Sequence, residues 1–132
     1  MPNSTIAATD HISLFDNIEN EILAKAKNIR LLVLDVDGVL SDGKLYFSNS
    51  GEEIKAFHSL DGHGIKMLQK AGVEVAIITG RTSHIVAKRS ESLGIKHLIQ
   101  GREDKLNALD ELLAKTPLEY SQVAHMGDDY PD

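Results

Sequence analysis

The sequence predicts an α/β fold, a Rossmann-like parallel sheet flanked by helices with a small β-hairpin inserted after the first strand. Three observations carry this expectation. Segments 29–36 (IRLLVLDV) and 73–78 are almost continuously aliphatic, as in strands buried on both faces. Strand-like and helix-like segments alternate after the hairpin, the pattern of right-handed βαβ crossovers. The aliphatic runs end in polar residues, Asp35 and Asp37, then Thr79, then Asp128 and Asp129, and parallel sheets gather ligands beyond the carboxyl ends of their strands.

Taken in order, residues 1–9 read as a tail. Ile12, Leu14, Phe15, Ile18, Ile22 and Leu23 have near-helical spacing, predicting a helix from 12 to about 28. The first strand, 29–36, is broken by Asp37-Gly38. Segments 44–48 and 53–58 flank the turn Asn49-Ser50-Gly51 and predict a hairpin. A helix is expected over 64–71 with Gly72 as its stop. The second strand, 73–78, runs into Thr79-Gly80-Arg81. Residues 83–93 read as a helix, with Ser83 as N-cap and Gly94 as terminator. A short strand at 97–100, a helix over 104–115 broken before Pro117, and a strand at 122–126 complete the series. No repeat or low-complexity segment interrupts it.

The 132 residues suit one domain with a small core. The 42% hydrophobic and 26% charged content is that of an ordinary globular chain. No apolar run is long enough to cross a bilayer, and residues 1–16 do not read as a secretion signal. There is no cysteine, hence no disulfide, thiolate metal site or cysteine nucleophile. The net charge of −6 argues against general nucleic-acid binding. It also opposes an anionic substrate, unless clustered carboxylates hold a divalent cation that reverses the local field.

Asp35-Val36-Asp37-Gly38 places two carboxylates at a strand end. One can attack phosphorus, and the other, two residues on, can give and take a proton. An ordinary Asp-Gly turn reads the same way in isolation. Thr79 and the backbone amides around Gly80 can hold phosphoryl oxygens, and Arg81 can grip a second anionic group. Capping alone would also explain that turn. Lys105 stands in the first turn of its predicted helix, where the helix dipole disfavours a cation. That misplaced charge suits a partner for a nucleophile and a transferring phosphoryl group, although surface lysines are common. Asp128, Asp129 and Asp132 are hard oxygen donors suited to Mg²⁺. The six histidines lack zinc-site spacing. His58 and His63 flank a predicted loop near the site. Each feature has an ordinary reading singly; their occurrence in order, each at the correct end of an element, does not.

DVDGVLSDG (35–43), ITGR (78–81), Lys105 and GDDYPD (127–132) resemble the four motifs of the haloacid dehalogenase-like phosphatases. Segments 49–68, 75–95 and 100–113 resemble the family's sugar-acid phosphatase branch, so the likeness covers about residues 29–132. It implies the haloacid dehalogenase fold, with the hairpin 44–58 in place of a cap domain. It implies Asp35 as nucleophile, Asp37 as general acid/base, and Thr79 and Lys105 on the phosphoryl group. It implies Mg²⁺ held by Asp35, Asp37 through its carbonyl, and Asp128. Substrate contacts fall on His58, Ser59, Leu60, Asp61, Gly62, Lys66, Arg81 and Arg89, with Asp37 and Lys105. The implied enzyme is a cytoplasmic homotetramer that hydrolyses a sugar-acid phosphate in lipopolysaccharide synthesis and takes no nucleic acid or membrane partner. Leu60 and Lys66 stand where close relatives often carry arginine, which weakens bidentate carboxylate recognition. The chain is expected to divide into a tail and helix (1–28) and a phosphatase domain (29–132) truncated at its C-terminus, since the family continues with a helix, a strand and a glycine-rich tail. Two alternatives stand beside this reading: a nonulosonate 9-phosphate phosphatase, and a non-catalytic phosphatase-like oligomerisation domain.

Overall fold

The computed structural model describes residues 18–127. Its elements are α1 (Asn20–Lys27), β1 (Leu31–Leu34), β2 (Tyr46–Phe47), β3 (Glu53–Ile54), α2 (Ser59–Lys70), β4 (Glu74–Ile78), α3 (His84–Leu93), β5 (His97–Ile99) and α4 (Lys105–Leu113), then a 3₁₀ turn, Tyr120–Gln122, and β6 (Val123–Met126). Four strands form a parallel sheet in the order β5-β4-β1-β6, while β2 and β3 pair antiparallel as a separate hairpin. From β1 the chain steps one way to β4 and β5, then returns across β1 to add β6 on its far side. The carboxyl end of β1 therefore lies where the winding reverses, the place at which open α/β sheets bind ligands.

The aliphatic runs are explained by burial on both faces. Leu31 and Val33 join Ala76 and Ile78 against Ala108 and Leu112 of α4. Leu34 and Val36 join Val75 and Ile77 against Ile65 of α2 and Val86 and Leu93 of α3. Leu31, Val33, Ile77 and Ile78 are at most 2% exposed, and burying each such side chain contributes about 2 kcal/mol. This core fixes β1 rigidly, and with it the residues just past its end.

Several boundaries differ from expectation for identifiable reasons. The helix expected over 64–71 begins at Ser59, so residues 58–63 are a cap and a first turn rather than a loop. The Nδ1 of His58 accepts the N–H of Leu60 at 3.0 Å and starts the helix. Gly72 follows its end with φ 94°, as a terminating glycine should. Ser83 occupies the N-cap position of α3 but its side chain makes no capping bond; its N–H donates instead to Oε1 of Gln100 at 2.8 Å. Gly94 ends that helix in the left-handed region as expected. The hairpin strands are two residues each, because the chain beyond Ile54 leaves the ladder: Lys55 turns inward and Phe57 bridges Ser41. Of the helix expected from 12 to 28, residues 20–27 are helical and 12–17 lie outside the described residues.

Candidate active site

Asp35 follows directly on β1. Leu31 and Val33 face α4, and Asp35 continues that alternation. Its carboxylate accordingly meets the residue that opens α4: Nζ of Lys105 is 3.3 Å from Oδ1 of Asp35, with both side chains about nine-tenths buried. The backbone N–H of Asp35 donates to the carbonyl of Met126 at 3.1 Å, so the chain leaves β6 alongside Asp35.

The turn after Asp35 is tight. The N–H groups of Val39, Leu40 and Ser41 all converge on the carbonyl of Val36, at 2.8–3.1 Å. Gly38 has φ 83°, a region costly for any residue with a Cβ. Asp37, just before it, is held from the hairpin side. Its Oδ1 accepts from Nζ of Lys55 at 2.7 Å, and the same ammonium lies 3.0 Å from Oε1 of Glu53. Oε2 of Glu53 takes Nη2 of Arg81 at 2.8 Å, and Nε of Arg81 is 3.9 Å from Oδ2 of Asp37. Burial disfavours the Lys55 charge, but the two carboxylates together raise its pKa above the ordinary value. The Lys55 ammonium, aided by Arg81, holds the Glu53 carboxyl below its ordinary value.

Thr79 is 3% exposed at the end of β4. Its N–H donates to the carbonyl of Ile99 at 3.0 Å and its carbonyl accepts from Arg102 at 3.2 Å, which fixes the turn. Its hydroxyl lies 3.5 Å from the N–H of Arg81.

The structure thus gathers Asp35 with Lys105, and Asp37 with Arg81, at the carboxyl end of the sheet. The other substrate-side candidates form a neighbouring group. His58 and Asp61 line a cavity of about 350 Å³ between segments 40–42 and 56–58. Gly62 is buried against α3, where an added Cβ would meet Nη2 of Arg89 and Cδ2 of Leu93. The guanidinium of Arg89 sits 5.9 Å from the ring centroid of Phe57. Ser59, Leu60 and Lys66 stand exposed on α2, and none of the three lines that cavity. Asp35, Asp37, Thr79 and Lys105 do not line it either. Asp128 lies outside the described residues.

Three residues escaped the sequence reading. Glu53 and Lys55 are two apart in a strand-like segment and share a face, a signal that could have marked an inward charge pair. His125 on β6 is in register with Val33. Desolvation lowers its imidazole pKa, the Lys105 charge acts in the same direction, and Asp35 opposes. Nothing in the local pattern points to that position.

Among the described residues no group of three or more His, Cys, Asp or Glu is arranged to hold a metal. The available donors still suit Mg²⁺, which takes a few hard oxygens and keeps several waters. Asp35 and Asp37 supply such oxygens at one strand end, and the hydrogen bond from Asp35 to the Met126 carbonyl brings the end of β6 beside Asp35.

The parallel sheet, the hairpin after β1 and the order of these motifs define a haloacid dehalogenase-type fold. A hydrolase of that superfamily from Legionella pneumophila superposes with TM-score 0.83 at 49% identity, over 86% of this chain and 62% of that one. More specifically, the chain is a relative of the 3-deoxy-D-manno-octulosonate 8-phosphate phosphatases. It is 51% identical to the Escherichia coli K12 enzyme of that name over 115 residues, 87% of this chain and 61% of the relative. The chain therefore spans about three-fifths of the length of the curated relatives it matches. The corresponding structure from Moraxella catarrhalis, in complex with magnesium, phosphate and KDO, superposes with TM-score 0.83 at 50% identity, over 86% of this chain and 65% of that one. The cobalt-bound form from Haemophilus influenzae gives 0.77 at 44% identity, over 82% and 63%. No family model matches the chain. No described helix is long and apolar enough to cross a membrane.

Proposed function

We propose that this chain is a Mg²⁺-dependent phosphate monoesterase acting on 3-deoxy-D-manno-octulosonate 8-phosphate, in the cytoplasmic supply of KDO to lipopolysaccharide. The observation that carries the reading is the buried Asp35–Lys105 contact at 3.3 Å, with Asp37 two residues away at the winding reversal. In this reading Oδ of Asp35 attacks phosphorus as the bond to the sugar oxygen breaks, and Asp37 protonates that oxygen. Water then attacks the aspartyl-phosphate while Asp37 takes its proton, the acyl–phosphate bond breaks and inorganic phosphate leaves. Lys105 balances Asp35 and the incoming phosphoryl group, and Thr79 donates to a phosphoryl oxygen. Asp35, the Asp37 carbonyl and Asp128 would hold Mg²⁺, whose charge lets one anion approach another. Arg81, Arg89, His58, Ser59, Leu60, Asp61, Gly62 and Lys66 are assigned to the sugar acid.

A homotetramer belongs to the same reading. Leu45, Tyr46, Phe47 and Ile54 expose apolar surface on the hairpin, which favours a covering subunit.

The test is phosphate release from a panel of sugar phosphates, with Mg²⁺ and with chelator. Metal-dependent turnover concentrated on the octulosonate supports the proposal. Preference for a nonulosonate 9-phosphate keeps the mechanism and replaces the substrate. Silence from folded protein overturns the enzyme reading in favour of an oligomerisation module.

A further inference from the structure

The ion pairs around the hairpin carry more than the hairpin needs. Lysine side chains normally keep their charge in water. The Lys55 side chain is nevertheless only 2% exposed. Its ammonium lies between Asp37 and Glu53, at 2.7 and 3.0 Å. Glu53 is in turn tied to Arg81 at 2.8 Å, so the lysine is braced from the far side. Burying such a charge is costly, and hydrophobic residues of like volume would hold a hairpin down at least as well. The Asp37 carboxylate, by contrast, follows a strand end on a two-bond side chain and sits in a turn built by backbone bonds to Val36. Those bonds fix its main chain and leave the direction of its carboxylate to other groups.

We propose that Lys55 is a positioning residue for the proton donor of the reaction, holding Oδ1 of the Asp37 carboxyl group so that this group, when protonated, faces the leaving oxygen, with Glu53 anchoring the lysine. The inference rests on the phosphatase reading above. It makes the hairpin part of the chemical step, because β3 supplies Glu53 and Lys55 follows directly on its end. Lys55 need not touch substrate; it acts through Asp37.

A structural brace and a positioning residue differ in one readout. A poor leaving group, the alkoxide of a sugar, needs its proton as the P–O bond breaks. The p-nitrophenolate ion does not. The parameter kcat/KM covers steps only through release of the leaving group, so later hydrolysis of the aspartyl-phosphate does not enter it. The experiment measures kcat/KM of the full chain, Lys55→Met, Lys55→Arg and Glu53→Gln with Mg²⁺, on an alkyl sugar phosphate and on p-nitrophenyl phosphate. We expect the Lys55→Met penalty on the sugar phosphate to exceed that on the aryl phosphate about a hundredfold, the range of general-acid contributions. Lys55→Arg, which keeps a donor, should recover most of that selective loss. Glu53→Gln, which leaves Lys55 in place, should show the same selectivity at about tenfold and serves if Lys55→Met does not fold. Equal losses on both substrates in folded variants overturn the inference alone. A wild-type chain silent on both substrates overturns the phosphatase reading, and this inference with it.

Discussion

Replacing Lys105 with methionine tests the core of the site without reference to substrate. At the observed 3.3 Å, and with an effective dielectric constant near 20, the attraction between Lys105 and Asp35 is about 5 kcal/mol before desolvation is subtracted. Their side chains are 11% and 10% exposed, so salt screens the pair little. Measured couplings between touching residues fall between about 0.5 and 3 kcal/mol. Removing one partner of a buried pair costs about 3 kcal/mol, because the other charge stays behind. Lys105→Met should therefore lower stability by about 3 kcal/mol, or roughly 10 °C in melting temperature for a domain of this size. Asp35→Asn should cost less, since the amide oxygen still accepts from the ammonium.

The assay is a double-mutant cycle: thermal and urea unfolding of wild type, Lys105→Met, Asp35→Asn and the double variant, all in chelator. The double variant should recover about 2 kcal/mol relative to the sum of the single changes. A coupling below about 0.5 kcal/mol would refute the argument, because the two groups would then not share a desolvated contact.

Three further outcomes are expected. Asp35→Asn should abolish phosphate release while its circular dichroism stays that of wild type; residual turnover in that variant would remove Asp35 as nucleophile. Gly62→Ala should displace the Arg89 head group and press on Leu93, whose Cδ2 would lie 3.1 Å from the new methyl; stability should fall by about 1–3 kcal/mol, and KM should rise more than kcat falls. His125 should titrate in NMR below the ordinary 6.5, and its midpoint should rise in Lys105→Met, where one depressing charge is gone. With its folded pKa depressed, the neutral imidazole contributes stability above about pH 6.5 that is lost as pH falls through the folded value. Replacing His125 with glutamine should flatten the stability profile in that window.

Much of this was legible because the informative residues stand at the ends of strands whose sequence signal is strong. The 29–36 run has a single polar interruption before its end, Arg30, so its direction and the position of Asp35 followed from burial alone. Lys105 could be singled out because a cation opens a helix there against the dipole. The start of α2 was not legible. Asp61-Gly62-His63-Gly64 contains two glycines, each costing about 1 kcal/mol in a helix, and reads as a loop. Tertiary packing overrides that preference: Gly62 is buried where Arg89 and Leu93 leave no room for a side chain, and His58 caps the turn. The role of Lys55 was hidden for another reason. Its partner Asp37 is 18 residues away, and pairing across that distance depends on how the hairpin folds back, which no local period encodes.

The charges at the site bear on its metal requirement. The ion pairs at this end of the sheet join three carboxylates, Asp35, Asp37 and Glu53, to three cations, Lys55, Arg81 and Lys105. Each cation is already engaged by a carboxylate, so this part of the site has no surplus positive charge for a phosphate dianion, in a chain of net charge −6. The surplus has to arrive with a divalent ion. Binding of phosphate and of Mg²⁺ should then be coupled, and coupling is reciprocal. Phosphate should raise the melting temperature with Mg²⁺ present and leave it unchanged in chelator, and phosphate should tighten Mg²⁺ binding by the same factor. Equal stabilisation by phosphate in chelator would mean that the lysines and Arg81 suffice to hold it, and the charge argument for a metal would fail.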